Sequence, residues 1–154
     1  MKQLLLENIR SAHNVGSIFR TADGAGVSKL FLSGYTPAPT DRFARVQPEI
    51  RKTSLGASEY ISWEKVGEDT GAFLREQKRA GVTVVALEQT ATAIPLREFV
   101  VPEQVLYVVG NEVDGVSKAV LDEADVIVEI PMLGQKESLN VSVATGILLY
   151  HELA

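Results

Sequence analysis

The chain has no cysteine and only two histidines, His13 and His151, near opposite ends. Without thiols it forms neither disulfides nor thiolate zinc sites. Two histidines so far apart in sequence do not suggest a histidine metal cluster, and no metal is expected. A Ser-His-Asp hydrolase would need one of them, and no Gly-x-Ser-x-Gly elbow is present. Apolar runs fall well short of the roughly 20 residues that cross a bilayer. The opening stretch, Met1-Lys2-Gln3-Leu4-Leu5-Leu6-Glu7, lacks a signal core and a small-residue cleavage site. A cytoplasmic protein without membrane association is the expectation. Basic residues are outnumbered, 15 Lys and Arg against 20 Asp and Glu, for a net charge of -5. That argues against indiscriminate nucleic-acid binding but leaves room for a local basic patch.

What is present fits one globular domain over residues 1–154: 45% hydrophobic and 23% charged residues, with length enough for a sizeable core. Strands are expected at Leu4 to Glu7, Lys29 to Ser33, Val82 to Leu87, Val105 to Val109 and Val126 to Ile130, with a short one near Ser58 to Ser62. Helices are expected at Val15 to Ala25, Lys65 to Ala80, Ser117 to Glu123 and Val141 to Leu153. The strand runs are almost continuously apolar, as in strands covered on both faces. Alternation of the two kinds predicts an α/β fold, a mostly parallel sheet with helices on both faces.

Two segments stand apart. Residues 34–56 hold Pro37, Pro39 and Pro48, and gather Arg42, Arg45, Arg51 and Lys52 around Tyr35 and Phe43. A long connection with clustered cations reads as an RNA-phosphate surface or as a plain solvated loop. The last helix carries no charge from Val141 to Tyr150 and is apolar nearly all round. Such a helix needs cover on every side, from the rest of the monomer or from a second subunit, so a symmetric homodimer is expected.

Three polar clusters sit beside these elements. In the first, Asn14 is read as the cap of a helix whose apolar face is Val15, Ile18, Phe19, Ala22 and Ala25. Arg20 falls on the opposite face in line with Gly16 and Gly24, and two glycines inside a short helix imply a close approach there. The second, Gly110-Asn111-Glu112-Val113-Asp114-Gly115, follows a strand with the glycine spacing of a phosphate loop. Val116 stands where that loop needs lysine, and Glu112 and Asp114 would repel phosphate. A neutral nucleoside joined to a cationic centre suits it better, as in S-adenosylmethionine. The third runs from Ile130 and Pro131 through Gly134 and Ser138 to Asn140, which is placed to cap the apolar helix.

In this order the clusters resemble the SpoU (TrmH-like) branch of the SPOUT RNA methyltransferases. The matching motifs are Asn14-x-Gly16-x-x-x-Arg20, Gly110-Asn111-Glu112-x-x-Gly115, and Ile130-Pro131-Met132-x-Gly134-x-x-x-Ser138-Leu139-Asn140-Val141-Ser142. The resemblance covers nearly the whole chain. It implies a C-terminal deep trefoil knot, a homodimer, and methyl transfer from S-adenosylmethionine to a ribose 2′-hydroxyl in tRNA or rRNA. It assigns cofactor contacts to Leu87, Glu88, Gly110, Glu112, Gly115, Ile130, Met132, Ser138 and Leu139. It assigns catalytic positions to Asn14, Arg20, Glu112, Ser138 and Asn140. Arg42, Arg45, Arg51 and Lys52 remain the candidates for RNA contact. The alternative within this fold is a non-catalytic dimer that binds RNA or cofactor.

Overall fold

The computed structural model describes residues 1–153. Its strands are β1 (Lys2–Glu7), β2 (Lys29–Ser33), β3 (Ser62–Lys65), β4 (Thr83–Leu87), β5 (Ile94–Pro95), β6 (Val105–Val109) and β7 (Val126–Glu129). The helices are α1 (Ala12–Gly24), α2 (Pro48–Ser54), α3 (Thr70–Arg79), α4 (Lys118–Glu123) and α5 (Val141–Tyr150). All strand pairs are parallel, in the order β3-β2-β1-β6-β4-β7-β5.

Two cores flank this sheet, which explains the unbroken apolar runs. Leu4, Leu6, Tyr107 and Val109 face α1, α2 and α5 with Phe19, Ile50 and Leu148. Their neighbours Leu5, Leu106 and Val108 face α3 and α4 with Leu74 and Val120. Adjacent strand residues point to opposite sides, so helices on both faces require apolar residues at every position.

The structure moves several expected boundaries. β1 begins at Lys2, whose charge hid it: the buried ammonium donates to the carbonyls of Ala25 (3.3 Å) and Leu149 (3.0 Å) and pairs with Glu152. α1 begins at Ala12, and its cap is Ser11, whose hydroxyl accepts from the Asn14 amide at 3.1 Å. Asn14 is therefore not the cap, and its side chain is left for other partners. α3 starts at Thr70 rather than Lys65, because the chain first lays down the exposed edge strand β3 and Asp69 then caps the helix. The strand placed near Ser58 to Ser62 is displaced, with a 3-10 turn at Ala57–Glu59 before β3. The presumed loop 34–56 contains α2, started by Pro48 at its first turn and capped by Gln47. The two-residue β5 was too short to read in sequence, and α5 ends at Tyr150.

The glycine pair on α1 has its expected cause. A Cβ at Gly16 would collide with Thr53 and come within 2.8 Å of the Ile50 carbonyl, so α2 packs its backbone there. At Gly24 the Tyr150 hydroxyl fills the space, 2.7 Å from where a Cβ would be. Helix backbones approach this closely only where side chains are missing.

α5 is covered on one side only. Val141, Thr145, Leu148 and Leu149 are buried, while Val143, Ile147 and Tyr150 are exposed.

Candidate active site

β1, β6, β4 and β7 are consecutive neighbours, so their carboxyl ends form one rim, and the segments leaving them meet there. A cleft opens over β4, β6 and β7. Crevices at strand carboxyl ends are where parallel sheets hold ligands. All nine cofactor residues expected from sequence line it: Leu87 and Glu88 beyond β4, Gly110, Glu112 and Gly115 beyond β6, and Ile130, Met132, Ser138 and Leu139 beyond β7.

The β6 turn is locked from inside and outside. Asn111 and Gly115 exchange backbone hydrogen bonds of 3.1 and 2.9 Å, and the Asn111 side-chain oxygen accepts from the amides of Val113 and Asp114. Gly115 takes the left-handed conformation, φ 72°, that closes the turn. Beyond it Glu88 accepts from the Val116 amide at 2.9 Å. Glu7, buried at the end of β1, accepts from the amide (2.8 Å) and hydroxyl (2.6 Å) of Ser117. Sequence reading missed Glu7, whose only signal was a carboxylate closing an apolar strand. It also missed Gln89, which lines the cleft and donates from its side chain to the Glu137 carbonyl at 2.9 Å. That bond ties the segment after β4 to the third motif.

Among the described residues five carboxylates line the cleft, Glu88, Glu112, Asp114, Glu129 and Glu137, and no lysine or arginine does. Such a wall repels polyphosphate and favours a ligand that is neutral or positive. Leu87, Val109, Ile130 and Leu139 supply apolar surface among them. Flat apolar contact beside carboxylates fits an adenosyl group bearing a sulfonium and an amino group.

The catalytic candidates are partly gathered. Glu112 accepts from the amides of Arg10 (3.0 Å) and Ser11 (3.2 Å), at the entry to α1. The Asn14 side chain lies near enough to Glu112 to favour its charged form, and Asn140 donates to the Asn14 side-chain oxygen at 3.5 Å. Asn140 caps α5 as expected, accepting from the Ser142 amide at 2.8 Å. Ser138 lies on the cleft wall. Arg20 stands off from these four: it is exposed and, among the described residues, makes no ion pair or side-chain hydrogen bond. Glu112 does not hold Arg20 in this structure: its carboxylate oxygens accept from the backbone amides of Arg10 and Ser11.

Burial pushes the Glu112 carboxyl upward, but hydrogen bonds from the amides of Arg10, Glu112 and Ser11 and from Asn14 together outweigh it. The result lies below the usual carboxylate range. A depressed value means the stabilisation is complete above the unfolded value, about 4.3, and lost as pH falls through the lower folded value. Thermal midpoints of the wild type and Glu112→Gln are expected to differ at pH 7 and converge towards pH 3. A constant separation across that range would remove Glu112 ionisation as the cause.

The basic candidates form an exposed surface. Arg42 and Arg45 lie over the Phe43 ring at 4.8 and 5.0 Å from its centroid, and Arg51 faces Glu59 at 3.4 Å. Arg45 is paired with Asp41, whose carboxyl the Arg45 amide in first place holds below its ordinary value.

The SpoU rRNA Methylase family matches residues 1–150. A 23S rRNA (guanosine-2'-O-)-methyltransferase, RlmB, of Neisseria meningitidis is 33% identical over 95% of this chain and 55% of its own length. The AdoMet-bound rRNA methyltransferase of Sinorhizobium meliloti superposes with a TM-score of 0.83 at 34% identity, over 97% of this chain and 54% of that one. A solved chain described in connection with the 2-OH methylation of C/U34 on tRNA gives 0.81 at 27% identity, over 99% and 94%. This chain thus spans a little over half the length of the rRNA enzymes and nearly all of the last.

Proposed function

Since the chain belongs to the SpoU rRNA methylase family, we propose that it transfers a methyl group from S-adenosylmethionine to a ribose 2′-hydroxyl in tRNA or rRNA. The observation that carries this is the cleft at the ends of β4, β6 and β7, acidic, part apolar and free of basic lining residues. The cofactor, when bound, supplies an electrophilic methyl group on a positively charged sulfur. Leu87, Ile130, Met132 and Leu139 would hold its adenosyl part, while Glu88 and Gly115 fix the floor of the cleft. Transfer to the hydroxyl oxygen would form an O–C bond as the C–S bond breaks, with S-adenosyl-homocysteine as the leaving group and the hydroxyl proton released to solvent.

The residues of this chain do mostly positioning work. Glu112, held by the amides of Arg10 and Ser11, joins the β6 turn to α1. Asn14 and Asn140 connect the first motif to the third, where Ser138 lies at the cleft. Arg20 orients the hydroxyl or its phosphate and stabilises negative charge developing on oxygen. It is not a base, because a guanidinium remains protonated at neutral pH.

The functional unit in this reading is a cytoplasmic homodimer. Its support is the row Val143, Ile147 and Tyr150, apolar and exposed on a helix otherwise packed into the core. A C-terminal knot belongs to the same reading, supported by family membership.

The test offers labelled S-adenosylmethionine to unmodified tRNA and, separately, rRNA. Label on one of them, with the modified linkage resisting alkali, is the expected result. No label on either while S-adenosyl-homocysteine still binds would favour the non-catalytic dimer; neither label nor cofactor binding would refute the methyltransferase reading. Sedimentation is expected to give dimers for the wild type and monomers for Ile147→Asp.

A further inference from the structure

The stretch from Pro39 to Gln47, expected to be irregular, is an ordered hairpin. Thr40 and Val46 form an antiparallel bridge, and the Gln47 amide donates to the Pro39 carbonyl at 2.9 Å. Inside it the Asp41 amide donates to the Arg45 carbonyl at 3.0 Å and the Ala44 amide to the Asp41 carbonyl at 2.9 Å. One Asp41 carboxylate oxygen accepts from the amides of Phe43 (2.8 Å) and Arg45 (3.0 Å), and the other from the Arg45 guanidinium (2.7 Å). Phe43 is thus held at a fixed tip with 62% of its surface exposed.

Its immediate partners are cations. The Arg42 and Arg45 guanidinium groups lie against the ring, and neither hydrophobic core includes it. A flat ring and two flat cations make a π surface ready for another planar group. Nearer the cleft Tyr35 is also exposed, 59%, with its hydroxyl fixed by the Asn111 side chain at 2.7 Å. The segment leading into the hairpin is therefore bonded to the β6 turn through Tyr35.

We propose that this hairpin is a stacking site for an unpaired nucleobase, with Phe43 and its two arginines as the platform, so that the substrate is RNA with a single-stranded loop or bulge. The inference rests on the RNA methyltransferase reading and narrows its substrate class. Charge favours it: among the described residues Arg42 and Lys52 have no carboxylate partner, whereas Arg45 and Arg51 are paired. On a chain of net charge -5, two unpaired cations give weak attraction to a duplex backbone. Bases inside a duplex are closed to such a ring, while splayed bases stack on aromatic and guanidinium planes.

The test compares an RNA stem-loop carrying 2-aminopurine in the loop with a blunt duplex of equal length. Affinities are measured over a salt series for the wild type, Phe43→Ala, Phe43→Trp and Arg42→Ala. Wild-type protein is expected to quench the loop fluorophore. Phe43→Ala should weaken stem-loop binding about 5- to 100-fold, with its salt slope unchanged and duplex binding unaffected. Phe43→Trp should retain both quenching and affinity, and Arg42→Ala should lower the salt slope by about one. Equal losses on both RNAs, no loss on either, or a changed oligomeric state with RNA affinity intact would overturn the proposal. The two readings fail separately. Methyl transfer by a wild type whose binding ignores Phe43 sinks only the stacking site, while Phe43-dependent quenching without methyl transfer sinks only the enzyme.

Discussion

Arg20→Ala is expected to lower methyl transfer by about 10²- to 10³-fold, the usual loss when one donor to a developing oxyanion is removed. Affinity for S-adenosyl-homocysteine should not change. Arg20 lies outside the cofactor cleft, six residues along α1 from Asn14, a rise of about 9 Å. It is exposed and without an ion pair among the described residues, so its loss removes no packing and leaves the melting temperature in place. Arg20→Lys keeps the charge but not the planar fork, and should recover only part of the rate. Single-turnover transfer at saturating cofactor, with calorimetric binding in parallel, reads both quantities. Wild-type turnover in Arg20→Ala would remove this residue from the chemistry.

Gly110→Ala is expected to weaken S-adenosyl-homocysteine binding about tenfold to a hundredfold, with the fold preserved. The cause is backbone against backbone. A Cβ at Gly110 would come within 2.5 Å of the Val116 nitrogen and 2.6 Å of the Gly115 carbonyl. No rotamer relieves such a contact, so the turn itself must open. Opening separates the Val116 amide from Glu88 and shifts Gly115, both on the cleft wall. Forced overpacking typically costs about 1–3 kcal/mol, and strain that is relieved only by opening the turn appears as lost affinity. Isothermal titration with circular dichroism at matched concentrations checks it. Unchanged affinity would mean that the turn is not part of the cofactor site.

Much of this was legible because both periodic signals were strong. β2 and β6 were bounded as read, since both faces of each are covered and no polar residue interrupts the run. The cleft was legible because its residues occupy three short segments at the ends of β4, β6 and β7, the last two carrying the second and third motifs. What failed has specific causes. Lys2 disguised the start of β1, because a buried, fully bonded ammonium looks like a surface residue in sequence. Ser11 and Asn14 are both good caps three residues apart, and only the backbone decides between them. α2 hid behind prolines and arginines that also suit a loop. Glu7 and Gln89 act through partners 110 and 48 residues away in sequence, and no local pattern encodes such contacts.

The place of β6 in the sheet has a consequence for synthesis. β1 is flanked by β2 on one side and by β6 on the other, where Lys2 pairs with Val105. At translation speeds of about 5–20 residues per second, that flank of β1 waits about 5–20 s for its partner to be made. For that interval the ribosome carries a chain with an unpaired, apolar strand edge, the kind that joins other chains. A cell making this protein quickly therefore depends on whatever shields nascent chains.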